Sequence, residues 1–295
     1  MRVSFNLMSN NVLGNLFRNS ERLLNAQKTV ATGKIVNKPS DDPIAMGEIL
    51  DYRKILSSIE QYKTNIVKGK SRIDVSLNVL DSVSKLLTDA KNIAVDQSAS
   101  GSENDNREIA AIQIKEIRDQ IYQLANTKLL GRYIFAGYES DKPAFLNDGS
   151  YDGDSGDINI IVGDNLKANV NATGDEIFIS SGGDNVFTIL DNLQASLEAD
   201  PYVQSDISDQ IKLLDGARDQ VNNVSAMLAS KYTMMEFNEE KLKSIELNIE
   251  DMRSDVEDAD MAEAIVSLQL QQTAYEVALA ASSKLIQQSF MDFMR

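Results

Sequence analysis

Between Ala45 and Ser98 the apolar residues keep a seven-residue beat. Tyr52, Ile59, Ile66, Ile73, Leu80, Leu87 and Ala94 mark it, flanked by Ile49, Ile55, Leu56, Tyr62, Leu77 and Val83. That spacing puts them on one stripe of a single helix of about 50 residues, far beyond the 10 to 14 usual in globular proteins. Asp42 followed by Pro43 supplies its start, since a side-chain oxygen can cap free amides and proline suits the first helical position. A second stripe, Leu214, Val221, Leu228, Met235, Leu242 and Ile249, has Val224, Ile245 and Met252 on the adjacent row. Two long stripes of this kind bury each other as antiparallel partners, and a shorter helix carrying Ala110, Ile114, Ile117, Ile121 and Leu124 completes the packing.

The chain ends repeat the pattern. Leu13, Leu16, Phe17, Leu23, Leu24 and Val30 predict an amphipathic N-terminal helix. Met261, Ile265, Leu268, Tyr275, Leu279, Ile286 and Phe293 predict a C-terminal one, in which Ala274, Ala278 and Ala281 allow close approach. Residues 1–40 hold six basic groups and one acid, whereas residues 250–295 hold nine acids and three bases. The two ends are therefore complementary in stripe and in charge.

In the middle the period changes. Short β-type runs, Arg132 to Ala136, Ile158 to Val162, Ala168 to Val170 and Ile177 to Ser180, alternate with Gly, Asp, Asn and Ser clusters that supply turns. Residues 139–200 hold thirteen acids and two bases, so this stretch is expected to face solvent. Pro39, Pro43, Pro143 and Pro201 all lie outside the long periodic segments. The expected fold is mainly α: an elongated antiparallel helical bundle or coiled-coil rod with a small inserted β module. The expected domains are a terminal coiled-coil assembly domain (1–40 and 256–295), a helical rod (41–130 and 184–255) and an acidic β-rich insert (131–183).

Composition narrows the chemistry. The 295 residues include no His, Cys or Trp, which excludes Ser-His-Asp and Cys-His nucleophiles, His/Cys zinc sites and iron-sulfur clusters. A net charge of -16 has the wrong sign for nucleic acid or an anionic membrane surface. No stretch nears the roughly 18 apolar residues of a membrane-spanning helix. The start lacks a secretory signal, so the chain is expected to be cytoplasmic or exported by another route.

Asp148, Asp152, Asp154 and Asp157 crowd a glycine-rich loop where calcium could be considered. The twelfth position counted from Asp152 is Gly163, not the glutamate an EF-hand needs, so a solvated turn surface is the expectation. Glu21, Glu48, Asp51 and the run Asp255, Glu257, Asp258, Asp260 are read as a solvated helix face or a helix first turn. No phosphate-cradling glycine motif occurs. No catalytic residue, cofactor or metal site is expected, and the chain is not read as an enzyme.

The terminal helices are a different matter. An isolated helix is marginal in water unless packing holds it, and their narrow stripes are best completed by the same pair from neighbouring subunits, making folding and assembly one event. The candidate assembly interface is Leu13, Leu16, Phe17, Leu24, Val30, Met261, Ile265, Leu268, Tyr275, Leu279, Ile286 and Phe293.

Particular segments carry a resemblance. ATGKIVNKPSDDP, Ala31 to Pro43, and GRYIFAGY, Gly131 to Tyr138, together with the C-terminal segment from Asp260 to Arg295, resemble the flagellin family of bacterial flagellar axial proteins, in its hook-associated branch. Ala31 stands where the family loop usually begins with serine. The resemblance covers both helical halves and leaves residues 139–183 unmatched. It implies a structural role at the junction of flagellar hook and filament, with self-association in a ring. The implied partners are a preceding hook-associated protein, flagellin and an export chaperone. It also implies secretion by the flagellar type III route, with the terminal helices lining the central tube. A filament-forming flagellin is the near alternative, and a cytoplasmic coiled-coil scaffold the distant one.

Overall fold

A heptad stripe must be covered along its whole length, and this requirement sets the architecture. In the computed structural model the elements run α1 (Arg2–Thr32), α2 (Pro43–Ala99), α3 (Asn104–Ala125), β1 (Lys128–Leu129), β2 (Arg132–Tyr133), β3 (Asn159–Gly163), β4 (Leu166–Asn169), α4 (Gly174–Phe178), α5 (Val186–Glu198), α6 (Gln204–Glu257) and α7 (Met261–Phe293). The structure describes the backbone of residues 2–99, 104–180, 183–201 and 203–293, and the side chains of residues 7, 10–98, 105–180, 183–201 and 203–283. The chain is mainly α with two small antiparallel sheets, β1–β2 and β3–β4. It divides into two compact units, one of residues 1–58 with 244–295 and the other of residues 59–243.

In the larger unit, α2 and α6 run antiparallel, tied by Lys70 to Glu239 at 3.1 Å, Ser84 to Asn222 at 3.0 Å and Lys91 to Asp215 at 2.7 Å. The heptad residues Ile59, Ile66, Ile73, Leu80 and Leu87 of α2 and Leu214, Val221, Leu228 and Met235 of α6 are buried as the pattern requires. On the adjacent row of α6 only Val224 is buried, while Ile245 and Met252 are exposed. Helix α3 adds Ala110, Ile114, Ile117 and Ile121 to the same core and packs against α5.

The expected β module departs from its sequence reading. The run from Arg132 to Ala136 is a strand only at Arg132 and Tyr133; Ile134, Phe135 and Ala136 turn into the core. The run from Ile177 to Ser180 is not a strand. Its first half belongs to α4, because burying Ile177 and Phe178 together outweighs the β preference of a short apolar run. Helix α5 lies within the stretch 184–255 assigned to the helical rod; Val186, Leu190, Leu193 and Leu197, the stripe that defines it, keep helical spacing and are all buried. Phe145 is the hub of an aromatic cluster, its ring centroid 5.1 Å from those of Phe178 and Phe187 and 5.3 Å from that of Tyr151. Burial pushes the Tyr151 phenol above its ordinary pKa, while its hydroxyl donates to the Asp154 carbonyl at 2.7 Å, with the Phe135 carbonyl also within reach at 3.0 Å. The acids of this segment lie around a packed core that is continuous with the core of the helices.

Candidate assembly interface

In the smaller unit α1 and α7 pack together, with the end of α1 held beside the start of α7 by the antiparallel bridge of Lys34 to Asp258. The less exposed positions are Val12, Leu16, Asn19, Leu23, Ala26 and Val30 on α1, and Ala264, Leu268, Gln271, Tyr275, Ala278 and Ser282 on α7. Both series step by four and three, the spacing of a coiled-coil seam. The seam is thin, since half of its positions are alanine, serine, asparagine or glutamine.

A second apolar face on the same helices points away from this seam. Phe17 is 74% exposed and Leu24 65%; on α7, Val266 and Leu270 are each 66% exposed and Val277 63%. Exposed apolar residues at helical spacing of this kind make a candidate interaction surface.

The structure thus sorts the sequence-derived interface residues into two sets. Leu16, Val30, Leu268 and Tyr275 are half-buried along the seam, whereas Leu13, Phe17, Leu24, Met261, Ile265 and Leu279 are exposed. The side chains of Ile286 and Phe293 lie outside the described residues. The stripe of Val266, Leu270 and Val277 was missed, although its spacing of four and seven is helical and could have been read.

Between these helices and the rest of the unit lies the loop that follows α1. Gly33, at φ +70°, closes α1 by donating its amide to the Thr29 carbonyl, a left-handed position that costs glycine little. The Gly33 carbonyl accepts from the Ala259 amide, and the Ile35 amide donates to the Glu257 carbonyl. Asp41 then gathers the loop, accepting from the amides of Asn37 and Lys38. Burial opposes its charge, but these bonds and Lys28 hold the carboxyl below its ordinary pKa. Asp42 caps α2 by accepting from the amides of Ile44 and Ala45 at 2.9 and 3.0 Å, with Pro43 in the first turn. Asp260 does the same for α7, through the amides of Ala262 and Glu263.

Glu257 overturns the solvated-face reading of its acidic run. Its side chain is only 2% exposed, and its carboxylate meets Lys34 and Arg53 at 2.5 Å each and Arg253 at 3.6 Å. Three cations from the loop, α2 and α6 thus converge on one buried acid. Burial opposes its ionisation, yet the bonds from Lys34 and Arg53 hold its pKa below the ordinary 4.5. The folded chain therefore takes up this proton less readily than the unfolded one. The resulting stabilisation is complete above about pH 5 and is lost as the pH falls below 4.5 toward the folded value. Glu257→Gln is expected to lower the melting temperature at pH 7 by roughly 5 °C, for a loss of about 2 kcal/mol, and the gap should narrow as the pH is taken below 4.5. Circular dichroism melts across this pH range measure it.

Three acids of the glycine-rich loop are engaged with the chain's own donors. Asp148 accepts from the amide and hydroxyl of Ser150, Asp154 from the amides of Tyr138 and Gly156, and Asp157 from Asn169. Among the described residues no group of three acids comes together in a way that could hold a metal ion, and no helix is long and apolar enough to cross a membrane. The Asp154 contact also explains part of GRYIFAGY: a Cβ on Gly137, at φ +65°, would lie 1.9 Å from the Asp154 carboxylate.

Comparison with known proteins agrees with this architecture. The bacterial flagellin N-terminal helical region matches residues 3–140, and the bacterial flagellin C-terminal helical region matches residues 211–294. Flagellar hook-associated protein 3 of Escherichia coli strain K12 is 28% identical over 306 residues, spanning 95% of this chain and 96% of that protein. A flagellin of Listeria monocytogenes serovar 1/2a is 20% identical over 292 residues, spanning 98% and 96%. The crystal structure of the flagellar junction protein FlgL from Legionella pneumophila shares the fold at a TM-score of 0.62 and 16% identity, over 72% of this chain and 100% of that one.

Proposed function

The chain belongs to the bacterial flagellin family, and from that premise we propose that it is a structural protein of the flagellum, joining hook to filament. The observation that carries this reading is the end-to-end likeness to hook-associated protein 3, at 28% identity against 20% for the Listeria flagellin over a similar span. The exposed faces of α1 and α7 supply the mechanism. Each subunit presents apolar surface that its own seam leaves uncovered, and copies of the same chain in a ring, with a preceding hook-associated protein on one side and flagellin on the other, would cover it. The role is structural, not catalytic.

Export through the flagellar type III route suits a chain whose terminal helices are held by a thin seam and which carries no disulfide to undo. In the cell before export, the uncovered face of α7 is a natural ligand for an export chaperone. Deleting the gene is expected to leave hooks intact, remove filaments and release flagellin into the medium. Normal filaments in the deletion strain would sink the junction role, and a strain that keeps hooks but makes no flagellin-like protein at all would favour the filament subunit instead.

A further inference from the structure

Immediately after α3, the hairpin of β1 and β2 carries Leu130 at its tip. Leu130 has φ +52° and is 97% exposed. Such a turn position is ordinarily filled by Gly, Asn or Asp, so a leucine here gives up backbone ease and gains no burial within its own chain. Lys128 and Arg132 flank it on the two strands, paired with Tyr133 and Leu129 respectively. The result is an apolar knob between two cations.

The opposite end of α3 has the complementary character. Ile109 and Ile112 are more than half exposed. Beside Ile112 a recess of about 330 Å³ opens toward the end of α5, with Leu197 at its base and Glu108, Glu198 and Asp200 around it. Arg107, itself buried, is the one cation among the described lining residues. Knob and recess cannot meet within one molecule, because Ile112 lies about 20 Å along α3 from Ala125, where the hairpin begins.

We propose that Leu130, with Lys128 and Arg132, docks into the acid-rimmed recess of a second copy of this chain. Charge selects the pairing: in a chain of net charge -16 copies repel one another in general, and a cation-flanked leucine against an acid-rimmed apolar recess is the contact that reverses the sign locally. Because the two patches differ, the contact is head-to-tail and propagates from copy to copy. It uses no residue of α1 or α7 and so stands apart from the role proposed for the terminal helices.

The chain has no cysteine, which makes the test clean. Full-length Leu130→Cys and Ile112→Cys proteins, both altered only at exposed side chains, are mixed in equal amounts and treated with a short bismaleimide. Covalent dimer is expected to form about tenfold faster in the mixture than in either protein alone, and the excess should vanish in about 0.5 M salt. Adding Arg132→Glu to the first protein should abolish the excess, and adding Glu108→Lys to the second should restore it. A mixture no faster than the separate proteins overturns the proposal, as does an excess indifferent to the charge reversals. Cross-linking in intact flagella solely to another axial protein would overturn the choice of a second copy as the occupant. The mixing outcomes do not depend on α1 or α7, which stay unaltered throughout.

Discussion

A chain carrying Val266→Asp, Leu270→Asp and Val277→Asp is expected to melt within about 4 °C of the parent and yet to abolish swimming when it replaces the parent in the cell. All three side chains are at least 63% exposed in the single chain, and substitutions at such positions usually change stability by no more than about 0.5 kcal/mol each. In an assembly the arithmetic is different. Covering a valine or leucine is worth about 1.5–3 kcal/mol, so three lost contacts per subunit weaken each association by several powers of ten, and burying three carboxylates adds a further penalty. Leu268→Asp provides the contrast, since that residue is half-buried along the seam and its replacement should loosen α1 and α7 before assembly begins. Circular dichroism melts read the first half of the expectation, and a soft-agar motility assay reads the second.

Phe145→Ala is expected to have the largest effect on folding. Phe145 is fully buried and touches Tyr151, Phe178 and Phe187, so its truncation leaves a cavity in the core shared by the helices and the former β module. The cost should be about 3–5 kcal/mol, a fall in melting temperature of roughly 10 °C in a chain of this size. Leu146→Ala, next in sequence and 43% exposed, should shift it by about 2 °C or less. If the two variants melted alike, the segment from 131 to 183 would not share the helical core.

Much of this molecule was legible in its apolar spacing. The stripes of α2, α3 and α6 were read directly because a helix buried along one side for so many turns must repeat its apolar residues at seven-residue intervals. The terminal helices were read as helices, but their two faces were not separated. Their apolar stripes run one residue apart, at Leu16 and Phe17, Leu23 and Leu24, and Ala278 and Val277, and periodicity alone merges stripes that burial keeps distinct. Glu257 looked like one more acid in an acidic run because the cations that bury it come from 223 and 204 residues away. The middle segment misled for a related reason: its thirteen acids dominate the composition, while the phenylalanines that organise it are scattered from position 135 to position 187 and converge only in the fold.

The central claim is that the outer faces of α1 and α7 are bare in the free chain and covered in the flagellum. In a protein without cysteine, Leu270→Cys and Phe17→Cys each introduce a single thiol on those faces. Maleimide labelling should be fast at both positions in the dilute free chain and strongly suppressed in intact, sheared flagella. Slow labelling of the free chain, or equally fast labelling in the flagellum, would contradict the claim.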